Sequence, residues 1–339
     1  MSKIKKVFNN EDYKGSPSTL CTGCGHNSIS EHILNACYDL NIAPNQIVKL
    51  SGIGCSSKSI NYFLNQSFGI NFIHGRMPPL ATGVYLANPD LKLIGISGDG
   101  DTANIGLSSF CHLLRRNIPM VYIVENNSVY GLTKGQLSAT AYAGHINKSK
   151  DVMTDSSIDL CTLAIEMGCQ FVARSFSGDK KQMQSLIKLA LQHNGTAFID
   201  VISPCIAFAN NPESKTSHVA SKKNRLNLNN IDLVNEKEET PSDTLYKEGD
   251  VLKIAISKDT TVHLYKLESN SHDLTKPIDA LSVLNAVKQK NKIATGLFHF
   301  VPSVLKKPVT PDKSKLFIRT EAKKLSADQL KSLLNNFKQ

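Results

Sequence analysis

The stretch Leu91–Asp101, LKLIGISGDGD, is the part of this chain that indicates its fold class most directly. Residues 91–97 are mostly apolar and predict a buried strand, and Gly98-Asp99-Gly100-Asp101 follows at once. A helix is predicted over 105–116, shortly after these glycines. Ligands of open parallel sheets bind at the carboxyl ends of strands, where glycines let the backbone approach a phosphate closely. The stretch therefore predicts a strand, a ligand-binding turn and a helix.

The sequence around this stretch alternates between the two kinds of element as far as residue 210. Helical spacing of apolar residues predicts further helices over 28–40, 80–87, 157–168 and 180–192, and short apolar runs predict strands over 47–50, 119–124, 171–174 and 197–202. Strands interleaved with helices form mostly parallel sheets that helices cover on both faces. We therefore expect an α/β fold of this kind in a domain of residues 1–210.

Residues 211–339 differ in character from the first 210. The stretch 214–239 is rich in Lys, Asn, Ser and Glu, which predicts a linker. A β-hairpin is predicted over 252–267 with its turn at Lys258-Asp259, and helices are predicted over 277–290 and 325–337. This part carries 22 basic and 15 acidic residues, against 17 and 14 in residues 1–210. We expect a linker followed by a smaller, basic α+β extension.

Composition excludes several classes of protein. The 339 residues are 41% hydrophobic and 20% charged, so the chain can bury a core and is not globally disordered. No apolar run reaches the ~20 residues of a membrane span. The start, MSKIKKVFNNEDYKG, has no apolar signal-peptide core, so we expect a cytoplasmic protein without a membrane partner. The net charge of +10 does not by itself indicate nucleic-acid binding, because Trp is absent and aromatic residues are only 6%.

The GDG turn has a partner in the sequence that suits magnesium chemistry. Asn127 follows the next predicted strand and lies 28 residues after Asp99. Carboxylate and amide oxygens are hard ligands of Mg²⁺, which usually shares its coordination sphere with phosphate groups. Together with the backbone carbonyl of Val129, Asp99 and Asn127 are predicted to hold Mg²⁺ against a diphosphate. An ordinary turn is the alternative interpretation of GDG.

Four of the eight cysteines lie in predicted loops near this edge of the sheet. Cys21 and Cys24 form a CxxC before the first long helix, and Cys55 and Cys205 each follow a predicted strand. The other four lie in or near predicted helices and are interpreted as buried apolar residues: Cys37, Cys111, Cys161 and Cys169. Disulfides are not expected in a reducing cytosol. Four thiolates suit either Zn²⁺ or a [4Fe–4S] cluster, and the spacing alone slightly favours zinc.

Several separate blocks resemble the β subunits of 2-oxoacid:ferredoxin oxidoreductases. These blocks are Ser51–Ser56 (SGIGCS), His74–Arg76 (HGR), Ala81–Gly83 (ATG), Ala87–Pro89 (ANP) and Tyr130–Gln136 (YGLTKGQ). The GDG and Asn-Asn pair is similar to the thiamine diphosphate signature, and the likeness covers roughly residues 15–210. It implies the thiamine diphosphate-binding fold, with thiamine diphosphate, Mg²⁺ and a [4Fe–4S] cluster as cofactors. The implied reaction is the coenzyme A-dependent oxidative decarboxylation of a 2-oxoacid, with electrons passed through the cluster to ferredoxin.

The resemblance also implies roles for individual residues. The implied cluster ligands are Cys21, Cys24, Cys55 and Cys205, which reverses the preference for zinc. The residues implied to line the cofactor are Ile53, Gly54, Cys55, Ser56, His74, Gly100, Asp101, Gly131 and Leu132. Lys58 and His74 are implied at the reacting centre, where a cation stabilises developing negative charge. A solvated Lys58 and a structural His74 are the alternatives.

Lys134, within YGLTKGQ, bears on the substrate. The resemblance implies that an ammonium here pairs the second carboxylate of 2-oxoglutarate, so 2-oxoglutarate is favoured over pyruvate. A pyruvate enzyme and a zinc-stabilised, non-redox thiamine-binding subunit are the alternatives.

The resemblance further implies partner proteins. Nothing in the sequence resembles the context of the glutamate that activates the aminopyrimidine of thiamine. We therefore expect an α subunit to carry that glutamate, in an αβ heterodimer or its dimer. An acidic ferredoxin would suit the basic charge of this chain.

Overall fold

An eight-stranded sheet is the centre of the fold in the computed structural model, which describes residues 8–211, 214, 216–234, 251–257, 260–267 and 272–302. Its strands are β1 (Ile47–Ser51), β2 (Phe68–Asn71), β3 (Lys92–Gly98), β4 (Met120–Asn126), β7 (Phe171–Phe176), β8 (Thr196–Ile202), β9 (Arg225–Asn227) and β13 (Ile293–Phe300). The order across the sheet is β2-β1-β3-β4-β8-β7-β13-β9. All pairs are parallel except β13 with β7. The predicted α/β class with a mostly parallel sheet is confirmed.

Helices cover both faces of this sheet. They are α1 (Asn10–Tyr13), α2 (Gly25–Asp39), α3 (Ser56–Ser59), α4 (Met77–Ala87), α5 (Leu107–Arg116), α6 (Leu160–Glu166), α7 (Lys180–Gln192), α8 (His218–Asn224) and α9 (Pro277–Gln289). The helix predicted over 105–116 is preceded by a π-helical turn, Asp101–Ile105, and α5 itself begins at Leu107. The last turn of α5 carries basic residues and ends at Asn117, whose φ is +49°.

The alternation of side chains along β4 shows how the two faces are filled. Val121 and Ile123 pack into the core on the side of α2 and α7. Met120, Tyr122 and Val124 pack on the opposite side, where the Tyr122 ring lies 5.4 Å from that of Phe110 in α5. Successive side chains of a strand point to opposite faces, so a strand that is apolar throughout must be buried on both. This double burial holds the carboxyl end of β4 in a fixed place.

Two strands from beyond residue 210 complete the sheet. β13 pairs with β7, and β9 pairs with β13, so strand pairing crosses the boundary that the sequence indicates. The stretch interpreted as a linker contains α8, β9 and β10 (Asn229–Val234). The Asn229 side chain fixes this pairing, since it donates to the carbonyl of Leu297 and accepts from its N–H, each at 2.9 Å. These contacts join residues 68 positions apart, and a local pattern cannot reveal them.

Smaller sheets lie outside the main one. β10 joins β11 (Val251–Ser257) and β12 (Thr260–Lys266) in a three-stranded antiparallel sheet, which includes the predicted hairpin. β5 (Val129–Tyr130) and β6 (Gln136–Leu137) form a short ribbon just after β4. The predicted turn at Lys258-Asp259 and the predicted helix over 325–337 lie outside the described residues. The extension expected for residues 211–339 stays a prediction in that part.

None of the helices within the described ranges is long and apolar enough to cross a lipid bilayer.

Candidate active site

A cavity of about 320 Å³ opens beside the carboxyl ends of β1, β3 and β4. Its volume is in the range of small-molecule sites. The residues predicted to line a cofactor all contribute to its walls: Ile53, Gly54, Cys55, Ser56, His74, Gly100, Asp101, Gly131 and Leu132. The three residues predicted to bind magnesium also line it: Asp99, Asn127 and Val129. The fold thus brings together residues from four separate sequence blocks.

Asp99 is buried at the end of β3 and is held by hydrogen bonds on both oxygens. Oδ2 accepts from the hydroxyls of Ser138 and Thr140, and Oδ1 accepts from the N–H of Asn127 at 3.3 Å. The Asn127 side chain in turn accepts from the N–H of Val129 at 3.1 Å. Burial raises the pKa of Asp99, although these donors oppose the effect. A buried carboxylate beside an amide oxygen is a donor set that fits Mg²⁺.

Asp101 joins three loops at the floor of the cavity. Its Oδ1 accepts from the N–H of Gly75 at 2.7 Å, and its Oδ2 accepts from the Ser97 hydroxyl at 2.8 Å. A Cβ on Gly52 would lie 1.8 Å from that Oδ2, so the loop after β1 approaches Asp101 only because residue 52 is glycine. Asp101 therefore orients the loops that carry Ile53 and His74 as well as lining the cavity.

The four cysteines singled out in the sequence lie near one another beside this cavity. A Cβ on Gly131 would lie 3.4 Å from Sγ of Cys55 and 3.6 Å from Sγ of Cys205. The N–H of Cys24 donates to the carbonyl of Cys21 at 3.0 Å, which closes the CxxC loop. All eight cysteines are free thiols. The other four lie elsewhere in the fold, and three of them are buried.

The thiols of this group influence each other electrostatically. Burial raises the pKa of Cys24 to about 12; a hydrogen bond from the His26 backbone opposes this shift, while Glu125, Cys205 and Cys55 add to it. Burial also raises the pKa of Cys55, with contributions from Cys205 and Cys21. Thiolates placed here need a positive group among them, and an iron–sulfur core or a metal ion would provide one. In the described part of the chain, no group of three or more His, Cys, Asp or Glu side chains is arranged to hold a metal ion.

The three residues predicted to act in catalysis or substrate binding do not all lie at the cavity. His74 is exposed and lines the cavity. Lys58 does not line it; its Nζ donates to Oγ1 of Thr19 at 3.2 Å, although its charge lowers the pKa of Cys55. Lys134 is exposed on the loop that carries Gly131 and Leu132 and has a φ of +79°. The roles given to these three residues stay predictions.

Sequence reasoning left out two buried residues that line the cavity, Glu125 and His26. Both carboxylate oxygens of Glu125 accept from the Ser59 hydroxyl at 3.0 Å, and Oε2 lies 3.7 Å from Nε2 of His26. Burial raises the pKa of Glu125 well above its usual value and lowers that of His26 to about 4. The period of two along β4 was the available signal, because it points residues 125 and 127 to the same side.

Comparison with known proteins supports a thiamine-binding fold. The family described as "Thiamine pyrophosphate enzyme, C-terminal TPP binding domain" matches residues 52–201, which include the three residues predicted to bind magnesium and most of the cavity wall. A solved structure of 2-oxoglutarate:ferredoxin oxidoreductase from Magnetococcus marinus, with 2-oxoglutarate, coenzyme A and succinyl-CoA bound, superposes with a TM-score of 0.69. That likeness has 25% sequence identity and covers 94% of this chain and 98% of the other.

Curated relatives narrow the family further. Subunit beta of 2-oxoacid:ferredoxin oxidoreductase 1 from Aeropyrum pernix is 43% identical over 192 residues, which are 56% of this chain and 60% of the relative. The matched region thus spans about three fifths of that relative's length. The 2-oxoglutarate synthase subunit KorB of Methanocaldococcus jannaschii is 38% identical over 190 residues, which are 56% of this chain and 70% of that subunit. With these likenesses and the residues gathered around its cavity, the chain belongs to the β-subunit family of the 2-oxoacid:ferredoxin oxidoreductases.

Proposed function

We propose that this chain is the thiamine diphosphate-binding β subunit of an enzyme that oxidatively decarboxylates a 2-oxoacid, with 2-oxoglutarate favoured over pyruvate. Coenzyme A takes up the acyl group, and ferredoxin takes up the electrons. The observation that carries this proposal is the meeting of Asp99, Asn127 and Val129 at one wall of a cavity that the four cysteines flank. A diphosphate site and an electron-transfer group in the same place suit a redox decarboxylase.

In this proposal, different residues around the cavity bind the metal ion, orient the loops and contact the substrate. When bound, thiamine diphosphate supplies a nucleophilic carbon and an electron sink, and a [4Fe–4S] cluster accepts electrons one at a time. Asp99, Asn127 and the Val129 carbonyl would hold Mg²⁺, which would neutralise the negative charge of the diphosphate. Asp101 holds the loop that carries Gly75 and His74 against the end of β3, since it accepts from Gly75 and from Ser97. His74 is exposed and lines the cavity, and in this proposal it meets the reacting part of the substrate.

The cysteine group supports the cluster assignment over zinc. A single Zn²⁺ binds thiolates at about 2.3 Å and needs all four to converge on one point. A cubane of four iron and four sulfide ions is larger, so it suits thiols that are neighbours but do not converge. The Sγ atoms of Cys55 and Cys205 both lie close to Gly131, at 3.4 and 3.6 Å from a Cβ built on it, and Gly131 also lines the cavity. Cluster and thiamine would therefore be adjacent, as electron transfer between them requires.

The substrate preference is proposed from Lys134 and from the relatives. Lys134 is exposed in the loop Gly131–Gly135, whose first three residues line the cavity, and in this proposal its ammonium pairs with the second carboxylate of the substrate. The Methanocaldococcus relative is named a 2-oxoglutarate synthase subunit, and the Magnetococcus structure contains 2-oxoglutarate. Both names agree with a dicarboxylic 2-oxoacid for this chain.

The surface beside the cavity supports a partner subunit. Large apolar side chains are exposed next to its walls: Phe72, Ile73, Ile105 and Leu132. Ile73 precedes His74, and Leu132 lines the cavity itself. Clustered exposed apolar residues mark interaction sites. We propose that the α subunit covers this surface and contributes the glutamate that thiamine activation needs.

The test is to co-express the chain with its α subunit, purify the complex without oxygen and measure its iron, sulfide, zinc, magnesium and thiamine diphosphate. About four iron and four sulfide per chain, with visible absorption that dithionite bleaches, are expected. Ferredoxin reduction should require coenzyme A and be faster with 2-oxoglutarate than with pyruvate. The separately purified chain should be inactive.

Other outcomes would contradict distinct parts of the proposal. One zinc per chain without sulfide would remove the electron-transfer role. Faster turnover of pyruvate would overturn the substrate preference. Activity of the chain without its partner would refute the shared active site.

A further inference from the structure

The segment 125–129 separates two cavities. Glu125, Asn127 and Val129 line the proposed cofactor cavity. Asn126 and Ser128 line a second, polar cavity on the other side, together with Arg174 and Asp200. The wall that carries the magnesium residues is therefore supported from behind by a charged pair.

The charged pair lies deep in the main sheet. Asp200 on β8 and Arg174 on β7 are directly paired in the register of these strands, and both are buried. Nε of Arg174 donates to Oδ2 of Asp200 at 2.7 Å, and Nη2 donates to Oδ1 of Asp159 at 2.8 Å. Oδ1 of Asp200 is left to accept from another donor. The Nδ2 of Asn126 takes that place at 3.0 Å.

The Asn126 side chain connects Asp200 to the backbone of the segment 125–129. With its amide nitrogen on Asp200, its Oδ1 accepts from the N–H of Ser128 at 3.3 Å. Ser128 has a φ of +64°, a left-handed conformation that is strained for an L-residue and persists only where its surroundings hold it. The carbonyl of Ser128 is also bound, by the N–H of Ser138 at 3.0 Å. The turn at Ser128 thus depends on Asn126, and Asn126 on Asp200.

This turn sets the positions of the magnesium residues. Asn127 and Val129 flank Ser128 in the chain, and the N–H of Val129 donates to the side chain of Asn127. Thr140, whose hydroxyl lies 2.6 Å from Oδ2 of Asp99, is also 3.1 Å from Oδ1 of Asn126. Any rotation of the Asn126 side chain would therefore disturb both sides of the magnesium site.

We propose that Asp200 and Arg174 are positioning residues for the Mg²⁺ site and act through Asn126. They touch neither the cation nor the diphosphate. Their role is to hold the Ser128 turn, which fixes the relative positions of Asn127 and Val129 at the cavity. The inference rests on the proposed function, because it assigns a role toward the cation that Asp99, Asn127 and Val129 would bind.

The test measures Mg²⁺ affinity in the complete αβ complex after removal of its metal by chelation. Isothermal titration with Mg²⁺ at saturating thiamine diphosphate compares the wild type, Asp200→Asn, Asn126→Ala and the double variant. Asp179→Asn is the matched control, since Asp179 also accepts from an arginine, Nη1 of Arg225 at 2.6 Å, but does not contact the wall. Thermal unfolding without Mg²⁺ is recorded for each variant.

Each single variant at the wall is expected to weaken Mg²⁺ binding by about 10- to 100-fold, the usual effect of losing a residue that orients a metal ligand. The double variant should bind Mg²⁺ as tightly as the single variant with the lower affinity, because both changes break the same link between Asp200 and Asn126. Asp179→Asn should bind Mg²⁺ like the wild type.

Two results would overturn the inference. Unchanged Mg²⁺ affinity in Asp200→Asn and Asn126→Ala, with only a lower unfolding temperature, would reduce the pair to a stabilising element of the sheet. Additive losses in the double variant would show that Asp200 does not act through Asn126.

If Asp200→Asn does not fold, the Mg²⁺ affinity of Asn126→Ala, a change at a half-buried position, decides whether the wall is held through Asn126. A wild type that binds neither Mg²⁺ nor thiamine diphosphate would instead refute the proposed function.

Discussion

Oδ2 of Asp101 occupies the space next to Gly52 so closely that a Cβ on that glycine would lie 1.8 Å from it. The contact joins the loop after β1 to the loop after β3 at the floor of the cavity. Because Asp101 also binds Gly75 and Ser97, a shift of its carboxylate would move three loops at once. The loops around the cavity can therefore pack in this arrangement only because residue 52 has no Cβ.

Gly52→Ala should therefore destabilise the protein and weaken thiamine diphosphate binding together. Overpacking of a buried site typically costs about 1–3 kcal/mol. Gly83→Ala is the control, since nothing lies within 4 Å of a Cβ at this exposed position of α4. That variant should be more stable than the wild type by about 0.5–1 kcal/mol. Thermal unfolding measures the stability of the two variants, and titration with thiamine diphosphate measures their cofactor affinity. Full cofactor affinity in Gly52→Ala would contradict the role given to Asp101.

Lys134→Ala should change substrate selectivity. Loss of the ammonium is expected to lower kcat/KM for 2-oxoglutarate by roughly 10- to 150-fold relative to pyruvate, since a hydrogen bond to a charged group contributes on the order of 1.5–3 kcal/mol. Lys150→Ala is a matched control, because Lys150 is also exposed and has a φ of +66°. Initial rates with both substrates measure the ratio. An equal loss for the two substrates would assign Lys134 to general binding.

Cys205→Ser should remove most of the iron and sulfide. The serine hydroxyl is a poor ligand for iron, and the group around Gly131 would lose one of its thiols. Cys111→Ser, at a partly exposed position on α5, should keep full iron content. Metal analysis and visible absorption of anaerobically purified protein distinguish the two. Full iron in Cys205→Ser, or equal loss in both, would exclude Cys205 as a specific ligand.

Lys49 should make stability rise with pH in the alkaline range. Burial lowers its pKa from 10.5 to about 8, while its Nζ donates to the carbonyls of Phe63 and Leu64. Between these two pKa values the unfolded state binds more protons than the folded one, so stability increases with pH across that window. The full effect is up to roughly 3 kcal/mol.

Lys49→Met removes the titrating group and should remove this rise. Denaturant unfolding at pH 7, 8 and 9.5 measures the difference between the wild type and the variant. The difference in unfolding free energy should shift in favour of the wild type as pH increases. A constant difference across these pH values would mean that Lys49 keeps an ordinary pKa in the folded protein.

The sequence predicted the central fold because its signals are local. Strands such as β4 are apolar throughout, and their neighbouring helices have clear apolar faces, so each element could be identified within its own window. The meeting of Asp99 and Asn127 at one cavity was also accessible, since both residues follow strands whose order in the sheet is simple, while their binding of Mg²⁺ stays a prediction. Local periodicity and parallel pairing were sufficient for this part.

Contacts between segments that are far apart in the sequence could not be predicted from local patterns. β9 is three residues long and is identified only by its pairing with β13. The support that Asp200 gives to Asn126 joins residues 74 positions apart, and neither residue type indicates it. Lys58 illustrates the opposite case, because its place near Cys55 in sequence did not determine that its side chain would turn to Thr19.

The insertion of β13 between β7 and β9 has a consequence for biosynthesis. A ribosome adds roughly 5–20 residues per second, so on the order of ten seconds pass between completion of β7 and emergence of β13. During that interval the nascent chain presents β7 as an open edge, to which other unfinished chains can add. We expect co-expressed chaperones, which can shield this edge until β13 emerges, to improve the yield of soluble protein, and slower translation to reduce it.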